Sequence, residues 1–541
     1  MVPLKKIFFA FAVLFLPVIF SVGGCNSPQE HREEADEEVY GIIESKWEEQ
    51  FGVTSGLEIE NGPTETMEER AATLIPESGK LNLVQAVNIA TNYNREYQRQ
   101  KEILYLTVLD LTFERHQFVR QWFGTIDASY AKDEFDESVG NTSRFGFDQL
   151  LAGGGVISMN IAQDWTSFLT GDSRTSLGTF LNASITQPLL GSGRLVAEEN
   201  LTQAERDALY EIRSFSRFRK EFVVDVVSAY YRVLQQKDAV LNAENNYERV
   251  KLSLERLKAE AEEGRKPMFE VDQAEQSVLD AEDGVVTNQQ RYEQLLDQFK
   301  ILLALPTDAA VELDENELDA LAASGVSSPD YDLETAIETG LVSRLDLATS
   351  MDQIDDAVRK VTVAEDELGM DLGVFASAGV PSTEQTRAGR LRFNDGTYEF
   401  GLTADLPLDR LSERNQYRSA LINLAVAERQ YESDISGVKL DIRDSWRQLR
   451  EAEQRYLIQQ NSLELARKRV ESTTVLLEEG RAQTRDLLEA QDDLLAAENS
   501  LTAAIIDHAV SKLNFFLDIE ILQVKPDGMW DTMDKEENAN G

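Results

Sequence analysis

Apolar positions in this chain follow two spacings, and the first is typical of packed helices. Apolar residues recur every three or four positions on both sides of Gly264, and an equivalent ladder surrounds Gly480, 216 residues further on (480 − 264). This spacing places apolar side chains along one seam of a coiled coil. A seam interrupted by a single glycine predicts a helical hairpin, so the sequence predicts two matching hairpins.

The two ladders align residue by residue. The first consists of Tyr247, Val250, Leu254, Leu257, Ala261, Val271, Ala274, Val278, Ala281 and Val285. The second consists of Leu463, Ala466, Val470, Thr473, Leu477, Leu487, Ala490, Leu494, Ala497 and Leu501. The glycines stand in nearly the same tetrapeptide, Glu262-Glu263-Gly264-Arg265 and Glu478-Glu479-Gly480-Arg481. We therefore expect both glycines to lie at hairpin tips.

Long helices precede both tips. They are predicted over about residues 195–262 and 416–477, and each extends for ~100 Å at 1.5 Å per residue. Each half also opens with an amphipathic helix, which begins at Leu83 in the first half and at Leu333 in the second. The predicted repeats and their connections are 79–306 for the first repeat, 307–330 for an irregular acidic linker, 331–520 for the second repeat, and 521–541 for a loose tail.

The second spacing is strict alternation, which predicts β-strands. The strands are predicted at about 122–132, 177–187, 370–380 and 398–406. Strands of about 9–11 residues can cross a bilayer when they are tilted. A soluble sheet with one wet face is the alternative. Four strands cannot close a barrel alone, so a membrane location requires several chains to share one barrel.

The β region of the first half is longer than that of the second. The interval from the first helix to the proline after the strands is 31 residues longer there (250 − 219), and the surplus lies in 131–176. This segment contains the glycine-rich run Leu151–Gly155 and a strand-like run, Val156–Trp165. We predict that it forms an additional hairpin or a long loop outside the membrane. The sequence does not decide whether it adds strands to the β-barrel.

The start of the chain has the pattern of a targeting segment. Lys5 and Lys6 precede the apolar run Ile7–Val22, and Gly23 and Gly24 follow before the only cysteine, Cys25. We predict a signal peptide over 1–24. The cysteine position resembles a bacterial lipobox, which implies acylation of Cys25, for example by palmitate. An ordinary signal peptide that contains a cysteine is the alternative.

The segment after Cys25 is rich in acids. Residues 25–78 are predicted to form an acylated, mostly extended tether with a short helix at about 39–51. The whole chain has 97 acidic and 53 basic residues and a net charge of −44, which argues against nucleic-acid binding. One cysteine and three histidines argue against a disulfide or a metal centre. No catalytic motif is present, so neither an enzyme nor a cofactor is predicted.

Three sets of motifs together resemble the TolC-like outer-membrane efflux proteins over about residues 80–520. These motifs are the helix starts Leu83-Val84-Gln85-Ala86 and Leu333-Glu334-Thr335-Ala336, the passage Gln187-Pro188-Leu189-Leu190, and the run from Thr484 to Gln491 after Gly480. The resemblance implies a mainly α-helical homotrimer with a membrane β-part. Its coiled-coil helices form a periplasmic α-barrel tunnel, and four strands per chain form a shared twelve-strand barrel. The family also includes lipoproteins, which agrees with Cys25.

By this resemblance, the glycine turns are periplasmic tips that close the tunnel and bind an adaptor protein. The implied tip and gate residues are Gly264, Arg265, Glu270, Gly480, Arg481, Arg485, Asp486 and Glu489. Three copies of Asp486 and Glu489, which share one helical face, would form a ring of six carboxylates. Ordinary surface acids are the alternative reading. Glu270 is expected to pair with Arg481 or Arg485. The family pattern has a base two residues after the tip glycine and an aromatic residue three residues before it. Here these positions are Ala482 and Leu477.

The function implied by the resemblance is a passive exit duct. It would serve a tripartite efflux or type I secretion system together with a periplasmic adaptor and an inner-membrane transporter. The expected location is the outer membrane, with a lipid anchor and an inserted barrel. A structural coiled-coil envelope lipoprotein without channel activity is the alternative, and the alternating strands argue against it because a spacer does not need them.

Overall fold

The computed structural model describes most of the chain. The described residues are 27–59, 66–76, 79–132, 136–169, 175–191, 193–327, 329, 331–383, 387–406, 408–524 and 530–532. Cys25 and the predicted signal peptide lie outside these ranges. Two compact units are present. Unit 1 comprises Met1–Glu58, Ile103–Ile212 and Gly369–Pro407, and unit 2 comprises Ile59–Glu102, Arg213–Leu368 and Leu408–Gly541.

Helices account for most of the described residues. They are α1 Pro28–Phe51, α2 Met67–Leu74, α3 Leu83–Tyr93, α4 Arg95–His116, α5 Gly193–Glu262, α6 Met268–Leu302, α7 Asn316–Ser324, α8 Leu333–Ser343, α9 Leu345–Asp366, α10 Leu411–Glu478 and α11 Thr484–Asp518. In the described part of the chain, no helix combines the length and the apolar character needed to cross a bilayer.

Strands form one large sheet and two small pairs. The strands are β1 Lys80–Leu81, β2 Gln121–Lys132, β3 Glu137–Leu150, β4 Val156–Phe168, β5 Thr175–Leu190, β6 Glu312–Leu313, β7 Asp371–Thr383, β8 Arg387–Leu391, β9 Thr397–Asp405, β10 Leu522–Val524 and β11 Trp530–Thr532. The large sheet is antiparallel, in the order β2-β3-β4-β5-β7, with β9 and the short β8 both paired to β7.

The four predicted strands are present as β2, β5, β7 and β9. The segment 131–176 is not a loop, because it supplies β3 and β4, which lie between β2 and β5. The described sheet therefore has six long strands in one chain, where the sequence predicted four. The alternation in β3 was not recognised because small polar residues such as Asn141 and Ser143 interrupt its apolar positions.

Both predicted hairpins are present in unit 2. α5 and α6 meet at a turn in which Gly264 has φ +74°, and α10 and α11 meet at a turn in which Gly480 has φ +71°. In each turn, the amide of the arginine after the glycine closes the end of the helix, at 2.9 Å from the Glu260 oxygen and 2.8 Å from the Leu476 oxygen. The turn geometry needs a left-handed residue, which explains the two glycines.

The predicted ladders form the cores of the hairpins. Val250, Leu254, Leu257, Val271 and Ala274 are buried together on α5 and α6, and Leu488 of α11 packs into the same cluster. A second cluster joins α10 and α11 through Leu463, Leu494 and Ala497. The heptad seam is therefore confirmed, and it also links the two hairpins.

Two segments are more ordered than their composition indicates. The linker contains β6, which pairs with β1, and the helix α7. The tail begins with Ile521 and Leu522, which are 3% and 0% exposed, and β10 pairs with β11. The predicted irregular linker and the start of the predicted loose tail are corrected here, because short buried apolar runs outweigh the surrounding polar residues. Residues 525–529 and 533–541 of the tail lie outside the described residues.

The short helix predicted near 39–51 begins earlier, at Pro28. Ser27 and Glu30 form a capping box at its start, and Pro28 occupies the first turn, which are signals that the prediction missed. Val39, Ile43 and Trp47 are buried at four-residue intervals. The segment is therefore a packed helix rather than an extended tether.

A carboxylate on α5 binds two cations in unit 1. Glu205 contacts Lys46 of α1 at 2.6 Å, and it accepts a hydrogen bond from Arg115 Nε of α4 at 2.7 Å. Partial burial raises the pKa of this carboxyl, but the two cations outweigh burial and leave the pKa below its usual value. The charged form of Glu205 is therefore favoured by folding.

We expect Glu205→Gln to loosen α1 at pH 7. In the wild type, the lowered pKa of Glu205 means that its stabilising effect is present above the unfolded pKa of about 4.3 and is lost as the pH falls through the folded pKa. The emission of Trp47, obtained by difference from Trp47→Phe, should shift to the red in that acid range. The Gln variant should show the shift already at pH 7. Identical spectra of both proteins at pH 7 would contradict this docking role.

We expect Gly480→Ala to lower the thermal unfolding midpoint, because a side chain in the left-handed region costs about 1–2 kcal/mol. Gly437 is the matched control, since it lies inside α10 with no atom within 4 Å of an added Cβ. Gly437→Ala should raise stability by about 0.5–1 kcal/mol. Circular dichroism during heating measures both shifts, and shifts of the same sign would count against the turn assignment.

Candidate functional site: the hairpin tips and the two-faced sheet

The arginine after each glycine binds an acid of its own turn. Arg265 Nε lies 3.0 Å from Glu263, and Arg481 Nη1 lies 3.2 Å from Glu479. Both arginines are largely exposed. In the single chain, Arg481 therefore pairs with the neighbouring Glu479 and not with Glu270 as predicted.

Glu270 instead links the two hairpins. Its carboxylate lies 3.2 Å from Lys266 Nζ and also accepts a hydrogen bond from the Thr484 hydroxyl at the start of α11. Thr484 is 1% exposed. Arg485 is exposed, and among the described residues of the single chain it forms no ion pair with Glu270. Lys266 and Thr484 were missed, although Lys266 precedes Glu270 by the helical interval of four.

Asp486 and Glu489 have local partners in the single chain. The Asp486 carboxylate accepts a hydrogen bond from the Gln483 amide at 2.9 Å and caps α11. Glu489 lies 3.3 Å from Arg469 Nη2 on α10, and the same arginine contacts Asp493. These contacts lie within one hairpin. The predicted ring of carboxylates requires three copies and stays a prediction.

Further polar contacts join the hairpins above the tips. Arg256 on α5 lies 2.8 Å from Glu478 on α10. The hydrogen bonds that Arg256 donates to Glu478 and Glu260 raise the pKa of its guanidinium. Four pairs connect α5 to α11 at 2.6–3.4 Å, namely Asp238–Thr502, Asn242–Asn499, Arg249–Glu498 and Ser253–Gln491.

A cavity of about 400 Å³ lies where these contacts meet the apolar ladders. Arg256, Leu257, Leu477, Thr484 and Leu488 are among its lining residues. Leu477 stands where the family pattern has an aromatic residue, and a leucine leaves more space than an aromatic ring. The hairpins are therefore loosely packed beside the Glu270–Thr484 contact.

The two tips present different side chains. Met268 and Phe269 open α6 and are 64% and 66% exposed. Their counterparts 216 residues later are Thr484 and Arg485, one buried and one charged. The exposed apolar pair was not singled out from the sequence, because each residue also fits an ordinary helix.

The large sheet in unit 1 has one apolar and one polar face. Residues paired across the strands share a face, so the register defines both faces. The apolar face includes Trp122, Ile126, Phe145, Met159, Ile161, Leu181, Ile185, Val374, Phe400 and Leu402. The polar face includes Asp127, Arg144, Asn160, Asp164, Asn182, Glu399, Thr403 and Asp405.

The apolar face is uncovered in the single chain, and the sheet is open. Trp122 is 59% exposed and Phe400 is 76% exposed. Within the described residues, β2 pairs only with β3 and β9 pairs only with β7, so each has one unpaired edge. Such a sheet needs both a covering for its apolar face and partners for its edges.

We expect Thr484→Val to loosen the tip contact, because it removes the hydroxyl donor at nearly constant volume. Thr484→Ser keeps the donor and is the control. A lost hydrogen bond of about 1 kcal/mol corresponds to roughly fivefold faster local opening. Hydrogen exchange of residues 262–272 and 478–488 measures this change. Equal exchange in the Val and Ser variants would show that the contact does not hold the hairpins together.

Comparison with known proteins identifies the same architecture. The sequence model of the family described as outer membrane efflux protein matches residues 336–505. No curated protein matches the sequence. Among solved structures, VceC of Vibrio cholerae has a TM-score of 0.60 at 13% identity, covering 81% of this chain and 95% of that chain. CmeC of Campylobacter jejuni has a TM-score of 0.59 at 15% identity, covering 90% and 93%.

The MtrE outer membrane channel of Neisseria gonorrhoeae is also similar, with a TM-score of 0.57 at 14% identity over 81% of this chain and 88% of that chain. The sequence resemblance is thereby confirmed, and so is the predicted mainly helical fold with an antiparallel sheet, although that sheet has six long strands instead of the predicted four. The matching family model is described as an efflux protein, and the CmeC and MtrE structures are described as outer membrane channels.

Proposed function

We propose that this chain, which has the fold of outer-membrane efflux channels and matches that family over residues 336–505, is a passive exit duct in the outer membrane. The observation that carries the proposal is the open sheet with one exposed apolar face and one polar face. Lipid would cover the apolar face, and water would fill the space along the polar face.

Closure of the sheet supports a homotrimer. The free edges of β2 and β9 carry backbone groups that have no partner in the described chain. In hydrocarbon each such group costs several kcal/mol, so an open sheet cannot span a membrane. If β2 of one copy pairs with β9 of the next, a ring of copies leaves no edge. Three copies agree with the architecture implied by the sequence.

The hairpin tips are proposed to open and close the periplasmic end and to bind an adaptor protein. Gly264, Gly480, Arg265 and Arg481 would form the turns that the adaptor contacts. The adaptor would connect the duct to an inner-membrane transporter, in a tripartite efflux or a type I secretion system. The exposed Met268 and Phe269 provide apolar area for such a contact.

Asp486 and Glu489 are proposed to face the tunnel in the trimer. Their carboxylates are bound locally in the single chain, by the Gln483 amide and by Arg469. Release of Arg469 from Glu489 would leave a ring of six negative charges, which attracts cations and repels anions. Arg485 has an exposed guanidinium next to this ring and would tune its charge.

Acylation of Cys25 is proposed to add a lipid anchor. The thiol would lie two residues before Ser27, which caps α1. α1 packs within the same unit as the sheet, through Glu205 and the buried Trp47. A lipid on Cys25 would therefore be attached to the unit that is proposed to enter the membrane.

Purification in detergent tests the duct. We expect a trimer by mass, with single-channel conductance in a planar bilayer. A structural spacer is the competing function, favoured by the long coiled coils. A monomer that remains soluble without detergent after Cys25→Ser, and that forms no channel, would exclude the duct in favour of the spacer.

A matched pair of variants on β9 tests the orientation of the sheet. Leu402 lies on the apolar face and Thr403 on the polar face. A lysine on a lipid-facing strand costs about 2–4 kcal/mol at the bilayer centre, so Leu402→Lys should sharply reduce the inserted trimer. Thr403→Lys should insert normally and shift ion selectivity toward anions. Equal insertion of both variants would contradict the assignment of the faces.

A further inference from the structure

We propose that the β3–β4 hairpin is part of the membrane wall, so that three chains build a wall of eighteen strands, three times six, around a wider pore than twelve strands allow. This inference rests on the proposed shared wall. It concerns the segment that the sequence left open between an added hairpin and an external loop.

Strand order gives the first argument. β2 pairs with β3 over its whole length, from Gln121↔Asp148 to Lys132↔Glu137. β4 pairs with β5 without a register shift. No ladder joins β2 directly to β5 among the described residues. If the hairpin were outside the wall, β2 and the facing edge of β5 would lose their partners, which hydrocarbon does not tolerate.

The faces of the hairpin give the second argument. On the apolar side of the sheet, the hairpin contributes Val139, Phe145, Phe147, Ile157, Met159, Ile161 and Trp165. On the polar side, it contributes Ser138, Thr142, Arg144, Asp148, Ser158, Asn160, Asp164 and Thr166. Phe145 and Ile161 are 59% and 46% exposed in the single chain. A solvated loop has no use for such an exposed apolar side.

The apolar band crosses all six strands at a slant. Through successive pairs, Trp122 lines up with Phe147, Met159, Ala183, Ala378 and Tyr398. The apolar run of β2 extends from Trp122 toward Tyr130, whereas that of β9 extends from Tyr398 toward Ala404, on the other side of this line. A band with this slant becomes level when strands tilt by about 35–45°, as in a membrane barrel.

The hairpin contributes residues to the slanted band. Phe145 and Ile161 pair with each other and lie beside the line through Trp122. The same side of the hairpin also carries polar residues, namely Asn141, Ser143, Gln149, Gln163 and Ser167. The Ser143 hydroxyl donates to the Asn141 side-chain oxygen at 3.0 Å, which reduces the cost of placing these two residues near lipid.

The short turn of the hairpin lies at the end of the sheet from which α4 and α5 extend. Gln187 of β5 donates a hydrogen bond from its amide to the Gly153 oxygen at 2.8 Å. The Leu150 amide donates to the Gln117 oxygen at 3.2 Å. A Cβ on Gly155 would lie 2.3 Å from the Gln187 side-chain oxygen. The turn is therefore short and hydrogen-bonded to its neighbours, and short turns are typical of the periplasmic end of membrane barrels.

The consequence is a larger exit. Barrel diameter rises roughly in proportion to strand number, so eighteen strands give a diameter about 1.5 times, and a cross-section about 2.25 times, that of twelve strands. The hairpin also places Arg144, Asn160 and Asp164 along the water-filled side. The pore would admit solutes of correspondingly larger cross-section.

Cysteine pairs on neighbouring residues test the proposal in the full-length protein reconstituted into lipid vesicles. The pairs are Arg144→Cys with Phe145→Cys on β3, Asn160→Cys with Ile161→Cys on β4, and Thr403→Cys with Leu402→Cys on β9 as the matched control. The probe is a charged, membrane-impermeant thiol reagent, and the unsubstituted protein gives the background from Cys25. We expect the polar-face cysteine of every pair to react at least tenfold faster.

The outcomes distinguish failure of the proposed membrane wall from failure of the β3–β4 hairpin to be part of that wall. If the β9 pair alternates but the β3 and β4 pairs react at equal rates, the hairpin lies outside the wall and the eighteen-strand inference is overturned. If the β9 pair does not alternate either, the proposed membrane wall fails, and this inference fails with it. Alternation in all three pairs supports the wider wall.

Channel size gives an independent readout. Deletion of residues 137–168 joins β2 to β5 through the remaining loop residues and should lower the size limit for neutral polymers that enter the outer mouth, because twelve strands enclose about 0.4 of the cross-section of eighteen. An unchanged size limit would overturn the inference. Because the deletion can also prevent assembly, the cysteine pairs decide the matter if no trimer is obtained.

Discussion

Backbone hydrogen bonding is the constraint on which the β-sheet depends. In the part of the chain that the structure describes, every long strand except β2 and β9 pairs with a neighbour on both sides. The two outer strands have free edges, and the apolar side chains of the same sheet need a non-aqueous environment. These requirements conflict in a monomer, because water can solvate the edges but not the apolar face. The proposed ring of copies would pair the edges, and insertion of that ring into lipid would cover the apolar face.

The hairpins are held by interactions of unequal strength. The apolar ladders are buried and continuous, so they maintain each hairpin as a unit. The ion pairs of Arg256 and Arg469 are 43–58% exposed, and such pairs contribute about 0–1 kcal/mol each. The contact of Glu270 with the buried Thr484 is less exposed to competition from water. A tip can therefore rearrange by exchanging surface pairs while its apolar seam stays intact.

Sequence reasoning identified the features that repeat. The spacing of the apolar ladders depends only on the helical period. The glycines at 264 and 480 depend only on the local geometry of a turn. The single chain does not form the predicted pairing of Glu270, because side-chain partners depend on rotamers and on competing groups such as Lys266 and Glu479. β3 was missed because a strand with small polar residues on its apolar side has weak alternation. The length of α1 was missed because the many acidic residues suggested an extended segment. The capping box of Ser27 and Glu30 and the few buried residues of the helix were not recognised.

The two repeats have diverged most clearly at the first residues of their return helices. Met268 and Phe269 are largely exposed in one repeat, whereas Thr484 is buried and Arg485 is charged in the other. In a threefold assembly, the six tips would form a ring in which an apolar tip alternates with a cationic tip. Such a ring has only pseudo-sixfold symmetry. A protein that contacts all six tips must therefore either have two kinds of binding surface or bind in two non-equivalent orientations.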